Sequence, residues 1–204
     1  MKTFEDFKEN VQDGFGQIFI TPAQQTPGHQ VPFENETKDN KPVTPVTIGQ
    51  EWIKDFELRL KDEYTAHFIY KNAANWCKNA NYPKAAAFFD EEAADELTHA
   101  QSIQNYLTQW NALPNIPAEM VPNTMTSLID CINAAYEFEY GLLLAYSEMQ
   151  MKMDKSNPAH FNFVQKFVDI QNHSVGVFSD LLNALNLIDY NNKLDLLMFE
   201  SKYF

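Results

Sequence analysis

Cysteine is scarce in this 204-residue chain. Cys77 and Cys131 are the only two, and no CxxC motif is present. A disulfide framework is excluded, and a reducing cytoplasm is the simplest reading. No run of eighteen apolar residues occurs, so no membrane-spanning helix is expected. The opening stretch MKTFEDFKENVQDGFGQIFI mixes acids into its apolar residues, lacks a continuous apolar core, and is not expected to act as a signal peptide. Basic residues are few, 15 against 28 acidic ones, for a net charge of −13. That balance argues against nucleic acid as a partner. It suits a protein that handles cations, although solubility alone also explains it. Glycine is limited to six positions, and the ten prolines cluster, which leaves the long proline-free stretches that long helices need. No β-strand pattern of any length and no repeat of fixed period competes.

Apolar residues make up 45% of the chain, enough for a real core. Residues 21–47 carry five prolines among many polar residues without helical or strand period, so residues 1–47 read as an extended arm. From residue 48 the character changes. Ile53, Phe56, Leu60, Tyr70, Ala74 and Cys77 recur at helical spacing, predicting a long amphipathic helix that Asn81-Tyr82-Pro83 ends. Pro83 fits the first turn of a second helix running to about Trp110. NALPNIPAEMVPNT is a loop long enough to cross over. Ser127 with Asp130 predicts a capping box for a third helix to about Met153. Asn157-Pro158 predicts an N-cap and first-turn proline for a fourth helix to about Leu187. The tail NKLDLLMFES predicts a short fifth. Four long helices over residues 48–204 fit an all-α four-helix bundle.

Certain acids sit on the wrong faces. Glu63 follows Leu60 and Phe56 on the apolar stripe of the first helix. Glu96 shares a face with Phe89, Ala93, Ala100 and Ile103, and His99 follows it in Glu-x-x-His spacing, so both side chains project the same way. Glu139 lies amid Ile132, Ala135, Leu142, Leu143 and Tyr146, whereas Glu137 is expected to face water. Phe167, Gln171, Ser174 and Phe178 share a face of the fourth helix. A charge on a core stripe is costly unless paired or metal-bound. Singly, each residue has a plainer reading: a snorkelling boundary Glu, a chance Glu-x-x-His, Tyr70 as core, His67 as a surface or interface residue. Together, in order on four helices, they form the set that a carboxylate-bridged di-iron site needs.

At these residues the chain resembles the ferritins, especially the non-haem bacterial type. The resemblance runs from about Leu58 to Leu185. It is carried by DEYTAHFIYKNAANWC, by PKAAAFFDEEAADELTHAQSIQNYLTQWNALP and by AHFNFVQKFVDIQNHSVGVFSDLLNAL. It implies a ferritin-like four-helix bundle with a long crossover loop and a short fifth C-terminal helix. Glu63, Glu96 and His99 would hold a first iron and Glu96 and Glu139 a second, with Glu96 bridging. Gln171 would hydrogen-bond a ligand or water of the second position, and Tyr70 would be a nearby electron donor. The implied activity is that of a ferroxidase, oxidising Fe(II) with O₂ or H₂O₂. The product would be stored as ferric mineral in a hollow shell of twenty-four subunits, with Glu92 and Asp95 as candidate nucleating acids.

Departures from the family narrow these expectations. Ile170, His173 and Ser174 stand where many bacterial ferritins have glutamates for a third iron, so a standard third site is not expected; His173 stays open as a replacement. Leu97 stands where bacterioferritins carry a haem-ligating Met, so no haem is expected. Ile170 and His173 stand where bacterioferritins have a second Glu-x-x-His. Phe161 and Val164 stand where animal ferritins line their threefold channels with acids, so iron entry by that route is not expected. Two other readings keep the fold. One is a rubrerythrin-like oxidase or peroxidase, against which the missing C-terminal CxxC pair counts. The other is a non-catalytic shell subunit, which would require a broken site. A mini-ferritin lacks this intrachain ligand pattern.

Overall fold

The computed structural model describes residues 46–118, 120–153 and 157–204. The arm expected over residues 1–47 lies outside them apart from Val46 and Thr47, which precede the first helix. Five helices follow: α1 (Gln50–Asn79), α2 (Pro83–Gln109), α3 (Leu128–Lys152), α4 (Pro158–Leu185) and α5 (Lys193–Tyr203). No strand occurs among the described residues.

The helix ends follow from local chemistry. Asn81 and Asn111 adopt φ of 62° and 59°, the left-handed conformation that Asn tolerates best after Gly. Each closes its helix with a six-to-one bond, Tyr82 N–H to the Cys77 carbonyl and Ala112 N–H to that of Leu107. Pro83 and Pro158 occupy first-turn positions, where a missing N–H costs nothing. At α3 half of the expected capping box forms. Ser127 Oγ accepts from Asp130 N–H at 3.0 Å, but the Asp130 carboxylate accepts from Thr126 N–H instead of reaching back to Ser127. The side chain of Asn157 makes no capping bond, contrary to the sequence expectation. Its ψ of 66° departs from the extended backbone that aims a cap at the first turn.

α1 packs along α2 and α3 along α4, and α1 also meets α3. The loop from α2 to α3 is the expected crossover. Near its start Asn115 donates through its backbone and side chain to Glu57; near its end Asn72 and Asn123 exchange bonds with the loop and α1 carbonyls. Glu57 and Asn72 lie fifteen positions apart on α1, roughly 22 Å at the α-helical rise. The loop therefore runs alongside α1 from one end toward the other. That makes α3 parallel to α2 and antiparallel to α1. α5 rests on α2 and α4. Buried Glu200 fixes it there, its Oε1 accepting from Lys84 N–H at 2.6 Å and Ala85 N–H at 3.3 Å, in the first turn of α2.

The core divides into two apolar clusters. One holds Ala66, Tyr70, Ala93, Ala135 and Phe178; the other holds Leu60, Ala100, Leu142, Phe167 and Val168. On each helix the boundary between them is occupied by a buried polar residue: Glu63, Glu96, Glu139 and Gln171. These form a polar belt across the middle of the bundle.

Candidate metal centre

The belt residues belong where the sequence placed them. Glu63, Glu139 and Gln171 are fully buried, and Glu96 is 2% exposed. His99 is partly exposed beside them. Its Nδ1 lies 3.2 Å from Glu96 Oε2 and 3.4 Å from Glu63 Oε2. One ligand atom from each of Glu63, Glu96 and His99 falls within 4.8 Å of the other two, close enough to share one metal ion. Glu139 lies outside that trio, yet its charge is felt by Glu96 and it feels that of Glu63. Tyr70, 1% exposed, donates its hydroxyl to Glu139 Oε1.

Gln171 follows Phe167 by one turn of α4 on the same face. The Phe167 ring meets His99 edge-on at 6.0 Å and stacks on Tyr146 at 4.9 Å. The Oε2 atoms of Glu63 and Glu139 and both amide atoms of Gln171 are buried without a hydrogen-bond partner. Orphaned buried polar atoms are costly, and three of these four are acceptor oxygens, which call for a ligand that is electron-poor.

Electrostatics agree. Burial pushes the Glu96 carboxyl well above its ordinary range, and the neighbouring Glu63 and Glu139 add to the rise. Burial raises Glu139 to about 8. For His99 burial acts downward, but the Glu63 and Glu96 carboxylates beside it outweigh that and push the imidazole up to about 10. The metal-free site therefore holds protons that a cation would displace.

Glu137 is exposed, as anticipated. His67 is half-buried at the α1–α2 interface, with Nδ1 2.6 Å from the Ala93 carbonyl. His173 is exposed and belongs to no cluster of potential metal ligands among the described residues. Val164 is fully buried in this chain's own core, and Leu97 is 42% exposed. Glu92 is half-buried rather than freely solvated, and its charge reaches Glu139. Asp95 is exposed.

One neighbour escaped the sequence reading. Tyr146 was placed only on the apolar face of the third helix, yet its hydroxyl donates to Glu63 Oε1. The signal was available, because Tyr146 follows Glu139 by seven positions just as Tyr70 follows Glu63.

A family model described as the ferritin-like domain matches residues 53–188. A probable bacterial non-heme ferritin-like protein of Haemophilus influenzae is 27% identical over 148 residues, spanning 72% of this chain and 90% of its own length. A bacterial non-heme ferritin of Staphylococcus aureus is 26% identical over 152 residues, spanning 73% and 92%. Among solved structures, an open-pore ferritin of the archaeon Archaeoglobus fulgidus superimposes with a TM-score of 0.72 at 19% identity, covering 78% of this chain and 98% of that one. The last is a likeness of fold.

Proposed function

The chain belongs to the ferritin family, of the non-haem bacterial type, and on that footing we propose that it oxidises Fe(II) at the polar belt and stores the ferric product as mineral. One observation carries the reading. Three carboxylates from three helices and one imidazole are gathered inside an apolar bundle, with the second oxygens of Glu63 and Glu139 lacking hydrogen bonds. Oxygen donors with a single nitrogen suit iron in both oxidation states.

In this reading iron is the substrate. Glu63, Glu96 and His99 receive one Fe(II), and Glu96 with Glu139 receives a second, Glu96 lying between the two. Two Fe(II) ions surrender two electrons, which with two protons reduce O₂ to H₂O₂, or H₂O₂ to two waters. Tyr70 steadies Glu139 and is a nearby electron donor, and Gln171 offers its amide to a ligand of the second position. The domain from residue 48 onward carries the whole centre. Storage requires an enclosed space, and a closed shell of twenty-four copies of this chain in the cytoplasm is the assembly this reading takes. Among the described residues no helix is long and apolar enough to cross a membrane.

Anaerobic Fe(II) titration tests the centre. Saturation near two irons per chain supports it; saturation at none or at one refutes the paired site. Light scattering tests storage, because a stable dimer would leave nowhere for mineral.

A further inference from the structure

We propose that Tyr146 is a positioning residue of the metal centre: its hydroxyl, donated to Oε1 of Glu63, fixes which oxygen of that carboxylate is turned toward His99 and Glu96. The inference rests on the proposed metal centre and assigns that centre a second phenol, one that the sequence reading left in the core.

The geometry assigns different tasks to the two oxygens of Glu63. Oε1 receives the Tyr146 hydroxyl. Oε2 lies 3.4 Å from His99 Nδ1, lacks a hydrogen bond of its own, and is close to the oxygen of Glu96 that faces the same imidazole. A carboxylate free to rotate would exchange these roles. Tyr146 has little freedom to let it. It is fully buried, stacked on Phe167 with centroids 4.9 Å apart and planes 16° apart, and the Arg59 guanidinium lies 5.8 Å from its ring centroid. Phe167 in turn touches His99 edge-on at 6.0 Å. The ring that orients Glu63 and the ring that packs on His99 are thus one stacked unit. Partners of this kind orient metal ligands and raise their affinity.

A buried phenol always needs an acceptor, and Glu63 could be only that. The arrangement on the other side of the belt argues for more. Tyr70 of α1 serves Glu139 of α3, and Tyr146 of α3 serves Glu63 of α1, with the same seven-residue spacing on both helices. Each outer carboxylate has its own phenol from the opposite helix. The two halves of the centre can therefore be perturbed one at a time.

Tyr146→Phe removes one oxygen and keeps the stacked ring. The test uses the full-length assembled protein, metal-free and anaerobic, titrated with Co(II) and followed by its visible absorption. Fe(II) bound under the same conditions is then examined by Mössbauer spectroscopy. Tyr146→Phe should weaken binding at the Glu63–His99 position by roughly tenfold to a hundredfold and shift that position's spectrum alone. Tyr70→Phe should do the same at the Glu139 position alone. In a Glu63→Ala background, Tyr146→Phe should add no further loss, because its effect passes through Glu63. A wild-type protein that binds no metal pair defeats the metal centre itself. A wild-type protein that binds two ions while Tyr146→Phe gives superimposable isotherms and spectra defeats this inference alone. If Tyr146→Phe fails to assemble, Tyr70→Phe carries the test. Binding of the first ion to it must perturb the ultraviolet absorption of the remaining phenol at Glu63, and an unperturbed band overturns the proposal.

Discussion

The hydroxyl of Tyr70 on α1 reaches across the bundle to Glu139 on α3, and the relation returns in reverse between Tyr146 and Glu63. Antiparallel helices produce this crossing. Seven residues forward on α1 match seven residues back on α3, so a Glu and a Tyr at that spacing on each helix meet the opposite member of the other pair. The consequence is that Glu139 and Glu63 are each held at Oε1 by a phenol, while the Oε2 of each is buried without a hydrogen bond.

Tyr70→Phe should therefore destabilise the metal-free protein. Glu139 is fully buried, and loss of the phenol leaves a second orphaned oxygen beside the one already without a partner. Leaving such an acceptor unsatisfied costs about 1–3 kcal/mol. Thermal unfolding of metal-free wild type and variant should show the lower Tm in the variant; identical melting would mean that the phenol contributes nothing to holding Glu139.

Glu96→Gln should separate stability from activity. Burial first, then Glu63 and Glu139, disfavour the charged form of Glu96, so a neutral isostere removes a strain that the empty fold bears. The metal-free variant should melt higher than wild type once the pH is high enough to ionise the buried wild-type carboxyl, and the gap should widen as pH rises further. The same variant should lose fast Fe(II) oxidation, because the amide cannot lie between two cations as a carboxylate does. Stopped-flow oxidation at wild-type speed would refute the bridging role of Glu96.

Much of this site was legible in the sequence because helical periodicity says which way a side chain points. Glu63, Glu96, Glu139 and Gln171 all proved buried for the reason their spacing gave. The helix limits were legible too, since Asn81, Asn111 and Ser127 carry their own stop and start chemistry. What periodicity cannot supply is contact between helices. The bond from Tyr146 to Glu63 depends on the antiparallel stagger of α1 and α3, which the crossover loop sets, and no property of either helix alone reveals it. The role of Glu200 was hidden for the same reason. An acid in a short amphipathic tail looks solvated until α2 presents its first turn.

Glu200→Ala should loosen α5 without disturbing the metal centre. Removing the carboxylate frees the amides of Lys84 and Ala85, a loss of about 0.5–2 kcal/mol for a cap of this kind. Amide exchange in residues 193–203 should quicken while that of α1 and α3 holds. Exchange that quickens equally throughout the bundle would show that the fifth helix is not an independently anchored unit.

Metal binding should release protons, and the pH dependence follows from the same buried groups. An isolated Glu side chain titrates near 4.5, but Glu139 in the fold titrates near 8, and Glu96 is raised as well. Between those values the folded chain binds more protons than the unfolded one, so the metal-free protein loses stability as pH rises through that interval. His99 acts in the same direction. Its folded value of about 10 exceeds the ordinary 6.5, so its contribution is complete below 6.5 and vanishes as pH climbs toward 10. A cation needs these ligands deprotonated, so it competes with the protons for the belt. Binding of Zn(II) to weakly buffered metal-free protein at pH 7 should acidify the solution, and affinity should rise with pH through about 8, where Glu139 is half ionised, and on toward about 10, where His99 gives up its proton. The Glu139→Gln variant should release fewer protons per chain. Binding that leaves the pH unchanged would mean that the ion sits elsewhere, on carboxylates already ionised at the surface.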